Sequence, residues 1–203
     1  KIGGDSTISI NEEVIGSNPA DRELKALSDR LASYAGTAKL AGSEAMVVIA
    51  CSDEAPEQRF VDVLNSCAKA GLKNISLTGA FLIHETEETL QTLRELKAMG
   101  VQLYIDDFGA GYASLRYLKS FPVDGIKLDQ SLIRELPHNT NDAAIVEAVI
   151  SLGKALGMQV IAEGVETQEQ VTFLEQHGCD AMQGYWLAPP LPANESVQHM
   201  VET

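Results

Sequence analysis

Cysteine is scarce in this chain: three in 203 residues, at Cys51, Cys67 and Cys179. They are odd in number and widely spaced, and no Cys-x-x-Cys pair occurs, so neither a zinc site nor a disulfide framework is indicated. Cys51 and Cys67 stand among apolar neighbours, the usual setting of buried thiols. Positive charge is scarce as well. Fifteen Lys and Arg stand against 29 Asp and Glu, a formal net charge of −14. That balance argues against nucleic acid polymers and anionic membranes as partners, although a metal-loaded carboxylate site could still accept a single nucleotide. No apolar run approaches roughly 18 residues, so no membrane segment is expected. No signal-peptide pattern stands at the start, and the chain reads as soluble. The four histidines, His84, His138, His177 and His199, share no ligand spacing and read as surface residues.

What is present is a regular alternation. With 45% hydrophobic residues the chain can bury a proper core, as one large domain or two small ones. A short alternating strand is expected at Ser6 to Ile10, then a polar helix from Asp21 to Tyr34, then an irregular Gly/Ala-rich loop from Gly36 to Ser43. Apolar strands follow at Met46–Ala50, Asn74–Leu77, Val101–Ile105, Gly125–Leu128, Gln159–Ala162 and Ala181–Trp186. Helical segments separate them at Glu57–Ala70, Glu85–Met99, Asp142–Leu156 and Gln168–His177, and Gly71, Gly100, Gly157 and Gly178 each close one. The acidic run from Glu85 to Glu88 suits a helix N-terminus. Such βα spacing predicts an α/β fold with a mainly parallel sheet covered by helices.

In parallel α/β folds, sites lie beyond the carboxyl ends of the strands. One strand ends in the adjacent carboxylates Asp106 and Asp107, followed by the turn Gly109-Ala110-Gly111. Two neighbouring anions repel unless a cation lies between them, and hard divalent ions such as Mg²⁺ take carboxylate oxygens. The alternative is that one Asp caps the next helix and the other is solvated. The next three strands carry further polar groups at the same level. Lys127 and Asp129 share a face of one strand, Glu163 ends another with Glu166 just beyond it, and Gln183 stands on the last beside Gly184. Tyr112 to Leu118 reads as a short packing helix and Trp186 as core or rim packing.

Asp106-Asp107-Phe108-Gly109-Ala110-Gly111-Tyr112-Ala113-Ser114-Leu115 resembles the DDFGTGYSSL signature of EAL domains, the cyclic-di-GMP phosphodiesterases. The likeness continues through Phe121 to Asp129, through Val160 to Glu166 and into Gln183-Gly184-Tyr185, so it runs from about Leu77 onward. Ala110 stands where the family usually has Thr. The resemblance implies a TIM-barrel-like fold, of which this part would form the C-terminal half in an incomplete or hybrid barrel. It implies Asp106, Asp107 and Glu163 as ligands of Mg²⁺ or Mn²⁺, Lys127 and Glu163 as catalytic groups, and Gln183 and Asp129 on the cyclic-di-GMP. It also implies a cytoplasmic setting. The family's Glu-Ala-Leu tripeptide is missing; Glu44-Ala45-Met46 leads into a strand instead of following one. The strand that should read E-x-T-E reads Ser76-Leu77-Thr78-Gly79, and Asn74 does not match the family's Asn ligand. Little or no turnover is therefore expected, with weak metal binding retained.

Residues 1–78 are similar to the periplasmic domain of ExbD/TolR proteins. The likeness rests on Thr7 to Asn11, Leu24 to Leu31, Val47 to Ala50, Cys51 to Pro56, Phe60 to Leu64 and Ala70 to Leu77 in that order. On this reading the chain is a chimera: an ExbD/TolR-like α/β segment at 1–78, of periplasmic origin, joined to an EAL-type half-barrel at 79–203. A non-catalytic interaction or scaffold module derived from the first segment is the alternative function. Six strands from Met46 onward are too few to close an eight-stranded barrel. Ser6–Ile10 and a further strand near Lys39–Ala41 would help to complete it. An open sheet would leave an edge exposed and favour a homodimer.

Overall fold

A computed structural model of the chain describes residues 1–78, 86–110 and 115–187. His84, Glu85, His199 and the Gly111 to Ser114 part of the long motif lie outside the described residues. Two compact units emerge, Lys1–Asp106 with Tyr112–Asp124, and Asp107–Gly111 with Gly125–Thr203.

The first unit opens on an antiparallel hairpin, β1 (Ile8–Ile10) and β2 (Glu13–Gly16), of which β2 was not foreseen. Its turn residues Asn11 and Glu12 have φ of 48° and 71°. A tight hairpin needs that left-handed pair, but Asn-Glu lacks the glycine that usually signals it. Helix α1 (Lys25–Leu40) starts later than the sequence suggests, because Leu24 takes a left-handed conformation and Asp21 accepts its N–H at 3.2 Å. The helix also runs through the expected loop at Gly36 and the expected strand near Lys39. Thr37, Ala38 and Lys39 continue it, and the chain leaves only at Gly42, whose φ is 75°. Arg59, 2% exposed, fastens the N-terminal segment by donating to the carbonyls of Ser6, Asn18 and Asp21.

Three parallel strands follow in this unit: β3 (Met46–Ile49), β4 (Asn74–Leu77) and β5 (Gln102–Phe108), the last crossing into the second unit. Their registers pair Met46 with Asn74 and Asn74 with Gln102. The connections are α2 (Glu57–Lys69) and α3 (Glu87–Ala98), and α4 (Leu115–Ser120) comes after β5. Thr86 caps α3, and Glu57 on α2 accepts from the hydroxyls of Thr86 and Thr89, which locks the two helices together. Phe60, Leu64, Cys67, Ile75, Leu77, Leu93 and Leu103 have no exposed surface and form the core.

The second unit holds the end of β5 and three parallel strands, β6 (Gly125–Leu128), β7 (Gln159–Glu163) and β8 (Ala181–Gln183). Helices α5 (Gln130–Ile133), α6 (Thr140–Leu156) and α7 (Gln168–His177) join them. Strand β8 stops three residues short of Trp186, which is an exposed rim residue and no part of the core. His177 also departs from expectation: it is half-buried, its ring centroid 4.2 Å from that of Phe173, whereas His138 is exposed. Among the described residues no helix is long and apolar enough to cross a membrane.

Candidate metal centre

The site is assembled at the carboxyl ends of the parallel strands, where the sequence pattern puts it. Strand β5 does not end before its two acids but carries them, Asp106 buried and Asp107 exposed, with Phe108 buried behind them. Asp107 has a φ of 53°, a left-handed backbone that most residues avoid and that Asp tolerates better than bulkier ones. The reversal lets consecutive residues, which an ordinary strand would send to opposite faces, bring their carboxylates together.

On β6 and β7 the register pairs Lys127 with Ile161, so Glu163, two residues further, lies diagonally across from Lys127 on the same face. The Lys127 ammonium, 6% exposed, donates to the Glu163 carboxylate. Glu163 in turn pairs in register with Gln183 on β8, and that glutamine is exposed at the rim. Asp129 accepts the Ser131 N–H at 2.8 Å and so caps α5.

One carboxylate oxygen from each of Asp106, Asp107 and Glu163 lies within 4.8 Å of the others. Asp107, Asp129, Gln130, Glu163, Gln183 and Tyr185 line a cavity of about 360 Å³. Its glycines are there because nothing else fits. A Cβ on Gly184 would stand 2.2 Å from the backbone N and O of Val165. One on Gly164, whose φ is 72°, would meet the Gln130 Cβ at 2.6 Å. On β4, Asn74 donates to Glu44 at 2.9 Å, and Ser76, which stands at the first glutamate position of the family's E-x-T-E strand, is buried beside Met46.

The comparisons decide the family. The EAL domain family matches residues 54–190. This chain belongs to the EAL domain family. EAL relatives include the bifunctional diguanylate cyclase/cyclic di-GMP phosphodiesterase MucR of Pseudomonas aeruginosa, 44% identical over 121 residues, 60% of this chain and 18% of that protein. The cyclic di-GMP phosphodiesterase NbdA of the same organism is 38% identical over 160 residues, 75% of this chain and 20% of that one. The chain thus spans about a fifth of the length of these curated relatives. Among solved structures, the EAL domain of Mycobacterium smegmatis DcpA aligns with a TM-score of 0.70 at 33% identity, covering 87% of this chain and 82% of that one. The c-di-GMP complex of the PaMucR phosphodiesterase gives 0.67 at 34%, covering 84% and 72%. The manganese/c-di-GMP complex of Klebsiella pneumoniae BlrP1 gives 0.64 at 29%, covering 81% and 44%. These EAL neighbours have a TIM-barrel-like fold, and the α/β expectation with its mainly parallel strands is met. The EAL match begins at Glu54, so α2 and β4, which the ExbD/TolR likeness claimed, fall inside it. Nothing in the comparisons supports that likeness or a chimera.

Proposed function

We propose that this chain holds a divalent cation, Mg²⁺ or Mn²⁺, on Asp106, Asp107 and Glu163 and binds cyclic-di-GMP against it, with little or no turnover. The observation that carries the reading is the convergence of three carboxylate oxygens within 4.8 Å. Such a cluster of hard donors suits a hard cation, and Lys127 is the one lysine hydrogen-bonded to it among the described contacts. The BlrP1 complex with manganese and c-di-GMP and the PaMucR complex with c-di-GMP support the ligand pair by relationship.

When bound, the cation would polarise a phosphoryl oxygen and acidify a water. The chain's own residues have separable tasks. Lys127, fixed by Glu163, sets a positive charge beside the rim to orient phosphate or water. Gln183 offers an amide donor and acceptor at the cavity edge, and Asp129 adds a carboxylate, one oxygen of which is committed to the α5 cap. All six candidate residues lie beyond residue 78, so the segment 1–78 serves under this proposal as scaffold. Low turnover follows from what is missing. A two-metal clamp holds its ions roughly 3.5–4 Å apart on a full ligand set. This chain lacks the Glu-Ala-Leu tripeptide and both E-x-T-E glutamates.

Isothermal titration with Mn²⁺ and then cyclic-di-GMP tests the proposal. Micromolar Mn²⁺ binding that Asp106→Asn abolishes, followed by nucleotide binding and no linear dinucleotide, is the expected result. Absence of heat from both ligands would sink it.

A further inference from the structure

Behind the carboxylate rim stands a buried amide that none of the motifs includes. Gln170, the third residue of α7, is 3% exposed. Its Oε1 accepts the N–H of Glu166 at 2.7 Å and of Thr167 at 3.0 Å. Its Nε2 donates to the carbonyls of Ile133 and Arg134, both at 3.1 Å. Both donors and both acceptor sites of the amide are thereby used. The bond to Thr167, with the Thr167 hydroxyl accepting the Gln170 N–H, is an ordinary capping box. The Nε2 bonds lie outside the α7 cap: they reach 37 and 36 residues back to the carbonyls at the C-terminal end of α5.

Two short chain paths lead from this amide to the site. One runs back from Thr167 and Glu166 to Glu163, the last residue of β7. The other runs back along α5 to its cap Asp129 and on to Lys127 of β6. Between them Gly164 lies against Gln130, closely enough to exclude a side chain. We infer that Gln170 is a positioning residue for the metal centre: its four bonds fix the loop after β7 against α5 and so hold Glu163 in line with Lys127. The inference rests on the proposed metal site. Groups that orient a metal ligand without touching the metal typically change affinity by about 10–100-fold when removed.

Gln170→Glu separates this role from capping, because Glu serves the capping box as well as Gln does. It keeps the acceptors and loses both donors to Ile133 and Arg134. Thr167→Ala does the reverse, weakening the cap and leaving the four amide bonds. Mn²⁺ affinity by titration is measured alongside proton exchange of the Lys127 ammonium by ¹⁵N NMR, which reports the Lys127–Glu163 contact without any metal. Gln170→Glu is expected to weaken Mn²⁺ binding about 10-fold or more and to make the Lys127 ammonium exchange as fast as in Glu163→Gln. Thr167→Ala is expected to lower the melting temperature and leave both readouts unchanged. Unchanged affinity and exchange in Gln170→Glu, or equal losses in Thr167→Ala, would reduce Gln170 to a helix cap and overturn the inference. Should the unaltered chain bind no Mn²⁺, the metal reading falls, and Lys127 exchange alone decides whether Gln170 positions Glu163. Should Gln170→Glu fail to fold, Gln170→Met, which gives up the cap as well as the donors, is read against Thr167→Ala: losses of Mn²⁺ affinity and of Lys127 protection beyond those of Thr167→Ala support the inference, and equal ones overturn it.

Discussion

Single side chains here show how tightly the interior is specified. Burial pushes the Cys67 thiol up to about 12 and Cys51 up to about 11, because the low-dielectric core disfavours a thiolate. Unfolded thiols ionise near about 8.5. The stability contributed by keeping these thiols neutral is complete below that value. It is lost as pH rises from there toward 12, where the unfolded chain sheds protons that the folded chain retains. Urea midpoints should therefore fall between about pH 9 and 10.5, each thiol accounting for about 1.4 kcal/mol per pH unit. Cys67→Ala should remove one thiol's share of that slope. Gly184 is constrained by sterics alone. With a Cβ 2.2 Å from the Val165 backbone, Gly184→Ala should cost more than about 2 kcal/mol in chemical denaturation and displace the strand end that carries Gln183.

At the scale of elements, one device recurs. Asp124, just before β6, donates its N–H to the Leu103 carbonyl at 2.8 Å and accepts the Leu103 N–H on its carboxylate at 2.8 Å. Asp180, just before β8, does the same to Val160, at 3.0 Å and 2.7 Å. Each aspartate thus brackets the entry of a neighbouring strand and fixes its register. Asp180→Ala should cost about 1–3 kcal/mol in urea denaturation, the penalty of an orphaned buried N–H, and Asp180→Asn less. These brackets have no sequence signature beyond an Asp before a strand. The parallel strands and the four long helices from Glu57 onward are legible because their apolar runs and closing glycines are strong signals, whereas the short α5 carries neither. The β1–β2 hairpin was not, since Asn11-Glu12 lacks the usual glycine. Nor was the reach of α1, since Gly36 in an open position is tolerated by a helix. At the site, residue type and strand-end position marked all six candidates. The left-handed turn at Asp107 and the clip at Gln170 depend on backbone geometry, which periodicity does not encode.

For the molecule as a whole, charge dominates. A net charge of −14 draws cations toward the carboxylate rim and repels a dianionic nucleotide until a cation is bound. Screening shortens the reach of both effects, the Debye length falling to about 3 Å at 1 M salt. Mn²⁺ affinity should therefore weaken several-fold between about 0.05 M and 0.5 M KCl. Cyclic-di-GMP should bind measurably only with the metal present, and titrations at several ionic strengths check both. The whole-chain reading from sequence was right about the family and drew its boundary too late, since the EAL match starts at Glu54. The early part of that match lacks the acidic motifs by which the later part was recognised, and generic βα patterning suits several families.

Asp107 gives the site a particular vulnerability. Its left-handed backbone is one that glycine adopts at no steric cost, so Asp107→Gly should raise stability slightly, by up to about 1 kcal/mol, while removing a metal ligand. Selection for thermal robustness alone would let that residue drift. Persistence of an acid there across descendants, read by deep mutational scanning under a binding selection and under a folding selection in parallel, would mark the ligand as still in use.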